Sequence, residues 1–499
     1  VFQSAYKSLL LAGELDEAVK KAYGFYEKDK ESLSAMMIVV NDLIKKKKFS
    51  EANQILNDGL TEGENSNLTS IDILILPYIT AWVHVGEGQM KQALDVLEEK
   101  VGKYKVFYLF TNYQRGLMWE LQGNDNLAYD AYKQAIGRIS LPYHLALHAG
   151  NLMERLGKWD EAKELYQTYD AQHPQSGFFD TAYKRIENQI KPEPLINSVG
   201  YGVAEVLLEA TRMLIRSGYP IEGLAYAQLA LHLDAKHDEA NLLVAQSLEL
   251  LESFDGANKF YARINENSDL YDKAAIAIAR NYYRMDEKQK SFDTLEALLE
   301  KNDQSTLVLL TIADLYRQDK AFAKATQYYE KALKVLEANE EASWRNYFAA
   351  GIAYERAGDW EKGEKYLQEA LKLEPERPEI LNYLGYSWID RKVKMEEGKQ
   401  MIATALLGAN GDPHILDSMG WAYYLTGDYE KAVLYLENAV EAKPYDTVLN
   451  EHLGDIYWKL GRRNEAKFQW MRALSYPDGA PESDPEVLKR KLKYGLQEE

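Results

Sequence analysis

The sequence predicts an all-α fold: a right-handed solenoid of about thirteen helix–turn–helix pairs, with an irregular joint and a C-terminal capping helix. Three observations predict it. Similar residues recur at steps of mostly 34 or 35 along the 499-residue chain. Around each recurrence, apolar residues keep the 3.6-residue period of a helix on both sides of a short break. The length also exceeds what one core usually holds, and stacked pairs escape that limit because each packs only on its neighbours.

One position per unit serves as a marker: Tyr6, Val40, Ala81, Gly116, Gly150, Ala210, Ala245, Ala279, Ala313, Gly351, Gly385, Gly420 and Gly454. Tyr6, Val40 and Ala81 fit the frame less closely. The frame is plainest in "ILDSMGWAYYLTGDYEKAVLYLENAVEAKP" (415–444), where Gly420, Tyr423, Ala432, Ala439 and Pro444 return one unit later as Gly454, Tyr457, Ala466, Ala473 and Pro477. A small marker lets the paired helix come close, and the aromatic three residues on shares its face. The proline stops the second helix.

In chain order, residues 1–177 read as a first array of five pairs, with a polar insertion at 61–70. The step from Gly150 to Ala210 is 60 residues, about 26 more than a unit. The excess, 178–202, holds "FFDTAYKRIENQI", which reads as an extra helix, and "KPEPLINSVGYG", where Pro192 and Pro194 forbid a continuous helix and the glycines read as loop. Residues 203–478 read as a second array of eight pairs, with a polar loop at 337–342. Residues 479–499 hold a linker and the helix "EVLKRKLKYGL" (486–496), whose Lys489, Arg490, Lys491 and Lys493 read as the solvated face of a cap.

Charge and composition exclude several functions. The formal net charge is −19, and residues 1–200 hold 22 Lys and Arg against 27 Asp and Glu, which leaves −14 on the rest. That balance argues against nucleic acid and anionic membrane surfaces as partners. Cysteine is absent, so thiolate chemistry, disulfides and Cys-based zinc sites are excluded. Its absence suits an oxidising compartment and chance about equally. The run "IDILILPYITAWV" (71–83) is too short to span a bilayer. The chain begins at Val1, which leads us to expect a preceding signal, anchor or trimmed tail.

No catalytic constellation emerges. His144 and His148 stand one helical turn apart but lack a third ligand, and neither a nucleophile elbow nor a phosphate loop occurs. We assign no metal site, cofactor or catalytic residue.

A partner is expected instead on the concave side, on first-helix positions three before, one after and four after the marker. These give two clusters. One is centred on Tyr78, Trp82, Phe110 and Tyr113. The other is Asn382, Tyr386, Asp417, Trp421, Tyr424, Glu451, Asp455 and Trp458. Aromatic residues dominate binding hot spots, and grooves suit peptides.

The 34-residue frame resembles the tetratricopeptide repeat. The C-terminal stretches "LNYLGYSWIDR" (381–391), "HILDSMGWAYYLTGDYEKAV" (414–433) and "NEHLGDIYWKLGRRNEAKFQWMRAL" (450–474) are similar to proteobacterial periplasmic and outer-membrane repeat lipoproteins, adaptors of carboxyl-terminal processing proteases. The resemblance implies a non-enzymatic adaptor that holds an envelope protease and presents its substrates. It also implies a periplasmic location with an N-terminal lipid anchor that this chain does not contain. The alternative is a scaffold or targeting factor for an envelope or cytoplasmic complex, with no role in proteolysis.

Overall fold

The computed structural model describes residues 2–61, 70–102, 104–137, 140–173, 177–476 and 484–496. Among them are 28 α-helices and no strand. Each of the thirteen markers falls in a first helix that is followed by a second, so the chain is the expected α-solenoid. The two remaining helices are the extra one, Asp180–Asn188, and the cap, Pro485–Tyr494. Most of the insertion at 61–70, Pro174, and Pro477 with the start of the linker after it lie outside the described residues. The insertion at 337–342 is partly helical, because the helix Phe322–Ala338 runs into it. No helix among the described residues is long and apolar enough to cross a membrane.

The pair Pro413–Leu425 and Tyr429–Ala442 illustrates why the repeat folds as it does. Asp412 caps the first helix, accepting from the His414 and Ile415 amides at 2.9 and 3.3 Å, and Pro413 takes the first helical position. Gly427, at φ +81°, makes the turn, and Asp428 caps the second helix through the Lys431 amide. Gly420 lies directly under the fully buried Leu436, which occupies the space a Cβ would need. The same close approach recurs between Gly454 and Trp470, Gly150 and Tyr166, and Gly116 and Tyr132.

The chain divides into two compact units, residues 1–308 and 309–499. In the first, one continuous core runs from Tyr6 to Ala274. The joint is packed tightly there. Phe179 stacks on Tyr166 at 4.3 Å, and Phe178 meets Tyr143 at 4.5 Å. Arg185 donates twice to the buried Glu154, at 2.9 and 3.0 Å, and the Asn151 amide donates to the Glu193 carbonyl at 3.0 Å. After Pro192 and Pro194 the helix Val199–Arg216 begins, capped by Ser198. Gly200 and Gly202 are therefore helical, not loop glycines. In the second unit the core is a series of smaller clusters, the last of which includes Leu488 of the cap.

Glycine substitutions separate packing from helix propensity. Gly420→Ala should destabilise the chain by about 1–3 kcal/mol, because the added methyl collides with Leu436. Gly24→Ala, on a helix face with open space around it, should stabilise by roughly 0.5–1 kcal/mol. Chemical denaturation of the two variants would reveal opposite signs.

Candidate partner-binding groove

The first expected cluster does not face an open groove. The helix Val199–Arg216 packs on Ser70–Gly86 and Tyr108–Leu121, filling the concave side where a partner was expected. Gly202 lies against the indole of Trp82, which is fully buried and donates to Gln114 Oε1 at 2.8 Å. Tyr78 is fully buried and shares a hydrogen bond with Thr111 at 2.8 Å. Tyr113 donates to Glu205 Oε2 at 2.8 Å, and half-buried Phe110 packs edge-on against Tyr78 at 4.9 Å. The following helix, Pro220–Leu233, packs on Phe2–Leu11 and Leu33–Lys45. These aromatic residues bind the chain's own helices.

That internal interface buries charge. His237 donates to Glu205 Oε1 at 3.1 Å, and His148 stands 4.0 Å from the same oxygen. Arg212 bridges Glu239 at 2.5 Å and Glu209 at 3.0 Å, and His144 lies 3.9 Å from Glu209. Burial alone would raise the Glu205 carboxyl, but His237, His148 and Arg212 hold it well below the usual range. Burial works against the His237 charge too, and Glu205 outweighs it and raises that histidine. Burial pushes His144 and His148 down to about 3 and about 4. His144 and His148 thus serve packing, each edge-on to Tyr113.

The second unit does present an open groove, of about 1060 Å³. Six of the eight residues of the second cluster line it: Asn382, Tyr386, Asp417, Trp421, Glu451 and Asp455. Tyr424 and Trp458 do not. Tyr424 stacks at 4.6 Å on Trp421, whose ring also stacks on His452 at 4.1 Å. Trp458 lies beneath Gly495 at the end of the cap and packs on Trp470 at 5.4 Å. His452 Nδ1 donates to Asp417 Oδ1 at 2.8 Å. Burial disfavours the His452 charge, yet Asp417, Asp455 and Glu451 together raise its pKa. Further along, Arg391 pairs with Glu355 at 2.6 Å. The Asn382 Oδ1 atom is buried without a hydrogen-bond partner among the described residues.

Sequence reasoning missed one whole register. Tyr383, Ser418 and His452 all line the groove, each two residues before its marker. The helical repeat itself carried that signal, since the three stand 35 and 34 residues apart. It also misplaced Lys491. Instead of sitting on a solvated cap face, its ammonium reaches into the groove, 2.6 Å from Glu451 and 2.7 Å from Asp455. Lys489, Arg490 and Lys493 are exposed as expected, and Lys489 pairs with Glu486. No group of three His, Asp or Glu among the described residues is arranged to hold a metal.

Comparison with known proteins gives partial matches. A profile described as the C-terminal domain of cilia and flagella-associated protein 70 matches residues 244–486, and a tetratricopeptide-repeat profile matches 145–176. The chain is 27% identical over 225 residues to TPR repeat-containing protein PA4667 of Pseudomonas aeruginosa, covering 45% of this chain and 36% of that one. It is 25% identical over 156 residues to tetratricopeptide repeat protein 21B of Xenopus laevis, covering 31% of this chain and 11% of that one. The chain thus spans about a third of the first relative's length and about a tenth of the second's. Among solved structures, it is similar to a chain of the APC/C hetero-tetramer Cut9–Hcn1, with a TM-score of 0.40, 16% identity, and coverage of 99% and 95%.

Two titrations follow from these groups. His144 and His148 are depressed, so their contribution is present above the ordinary value near 6.5 and lost as pH falls towards 4. His237 is raised, so its contribution runs the other way and is lost above that value. Three depressed histidines, His144, His148 and His232, outweigh the raised His237 and His452, so calorimetric melting should weaken as pH falls from 6.5 to 5, by at most about 1.4 kcal/mol per pH unit for the one depressed histidine in excess. The slope should flatten in His148→Gln. Separately, Asp417→Asn should lower the pKa of His452, read from its ring proton shifts by NMR across a pH series.

Proposed function

We propose that this chain, a tetratricopeptide-repeat protein, is a non-enzymatic scaffold that holds an extended segment of a partner protein in the groove of its second unit. The observation that carries this reading is the wall of that groove. Tyr386 and Trp421 offer apolar and aromatic surface, and Asn382 offers a buried amide oxygen to a main-chain N–H. Around them, Arg391, Asp390 and Asp417 offer charge of both signs. Such a lining suits a polypeptide, which brings alternating side chains and a regular row of main-chain donors. Ser418 lines the groove beside the Asp417–His452 pair, but its hydroxyl donates to the His414 carbonyl at 3.0 Å.

The finer reading is an adaptor in the bacterial cell envelope, which binds a carboxyl-terminal processing protease and presents its substrates. The resemblance of residues 381–474 to periplasmic adaptor lipoproteins supports it, as does a cysteine-free, acidic composition. On this reading the chain works in the periplasm, tethered to the outer membrane by an anchor outside this sequence.

Reconstitution tests both levels. The purified chain is mixed with a carboxyl-terminal processing protease and a cell-wall hydrolase from the same organism. Hydrolase degradation should accelerate at least tenfold with the chain present, and the gain should fall in Tyr386→Ala. An unchanged rate, with no complex on size-exclusion chromatography, would sink the adaptor reading.

A further inference from the structure

The acidic end of the groove is already occupied by the chain itself. Lys491 is the one residue of the capping helix Pro485–Tyr494 that lines the groove. Its ammonium lies between Glu451 Oε1 and Asp455 Oδ2, at 2.6 and 2.7 Å. All three side chains are nearly buried: Lys491 is 14% exposed, Glu451 13% and Asp455 6%. Asp455 is held in place from behind by the Trp470 indole, which donates to its other oxygen at 2.9 Å. Two carboxylates therefore converge on a single cation in a fixed geometry, next to the Asp417–His452 pair.

We propose that this end of the groove is a subsite for a lysine or arginine side chain of the partner, and that Lys491 fills it in the partner's absence. The inference rests on the reading that the groove holds a polypeptide segment, and it names the chemistry of that segment. Charge complementarity carries it. The site binds an ammonium now, with two charge-assisted hydrogen bonds. Two carboxylates against one ammonium leave it negative, so an acidic side chain is repelled. Exchange is cheap, because an incoming cation remakes the bonds that Lys491 gives up, and no carboxylate is left buried without a counter-charge. A partner that fills the rest of the groove then wins by its further contacts with Tyr386, Trp421 and Asn382. The cap stays anchored through Leu488, Leu492 and Leu496, which pack on the last pair independently of Lys491.

A random 12-residue peptide library, panned on the full chain, tests this. Enriched peptides should share a Lys or Arg at a common position. Replacing that residue by Met should weaken binding about tenfold by fluorescence anisotropy. Lys491→Met should tighten the basic peptide about tenfold, since its competitor is gone. If Lys491→Met does not fold, Glu451→Gln replaces it; that variant keeps Lys491 bonded to Asp455 and should weaken the basic peptide about tenfold. Enriched peptides that lack a basic residue, yet lose binding in Tyr386→Ala, would overturn the subsite and leave the groove reading standing. A basic peptide indifferent to Lys491→Met would overturn the exchange. No peptide dependent on Tyr386 would overturn both readings.

Discussion

A helical pair of this kind has apolar residues on both flanks and can bury only one of them internally. Every other feature of the chain follows from that surplus. Each pair must lay its second face on a neighbour, so the markers stay small where two helices cross and large where a neighbour must be met. Gly420 under Leu436 is the tightest expression of the rule among the markers, followed by Gly150 under Tyr166. Where the row of pairs ends, the exposed flank needs a lid. The cap supplies it with Leu488, Leu492 and Leu496.

The concave side has two fates, and residue polarity decides between them. In the first unit the positions three before the marker are apolar, as at Met37, Tyr78 and Tyr113, and an unfilled concave side would expose them to water. The helix Val199–Arg216 takes that place, and with it come charged groups that must find partners inside the protein. Glu205, Glu209, Arg212 and Glu239 survive burial only because they pair with one another and with His237. In the second unit Leu310 and Phe348 keep the apolar character, but the last three equivalent positions are Asn382, Asp417 and Glu451, which need no such cover. The groove there stays open.

Local geometry made the repeat legible. A spacing of 34 residues, a small residue at a crossing and a proline after a helix act over one or two turns, so thirteen pairs could be read from sequence alone. The filling of the first groove was not legible in the same way. It depends on how the joint steers the next helix, and Tyr113 and Glu205 stand 92 residues apart. Polarity was the available clue, since the apolar cluster was buried and the mixed one stayed largely open. Tyr424 and Trp458 were misread because an aromatic side chain at a groove position can also turn sideways onto a neighbour. His452 was missed because an idealised wheel puts its register on the flank, while a wide groove exposes that flank too.

The helix seated in the first unit also changes how the chain can be built. A plain solenoid grows by nearest-neighbour contacts, so each pair can settle as soon as the next one leaves the ribosome. Here Trp82 waits for Gly202, and Asp42 waits for His232, 190 residues later. The first five pairs therefore emerge with their aromatic face bare, and the loop that finally covers it carries a long closure cost. In the second unit the described hydrogen bonds span at most 40 residues, so its closures are short. The N-terminal half is consequently the slow-folding part of the molecule, and the part that most needs protection from association with other nascent chains.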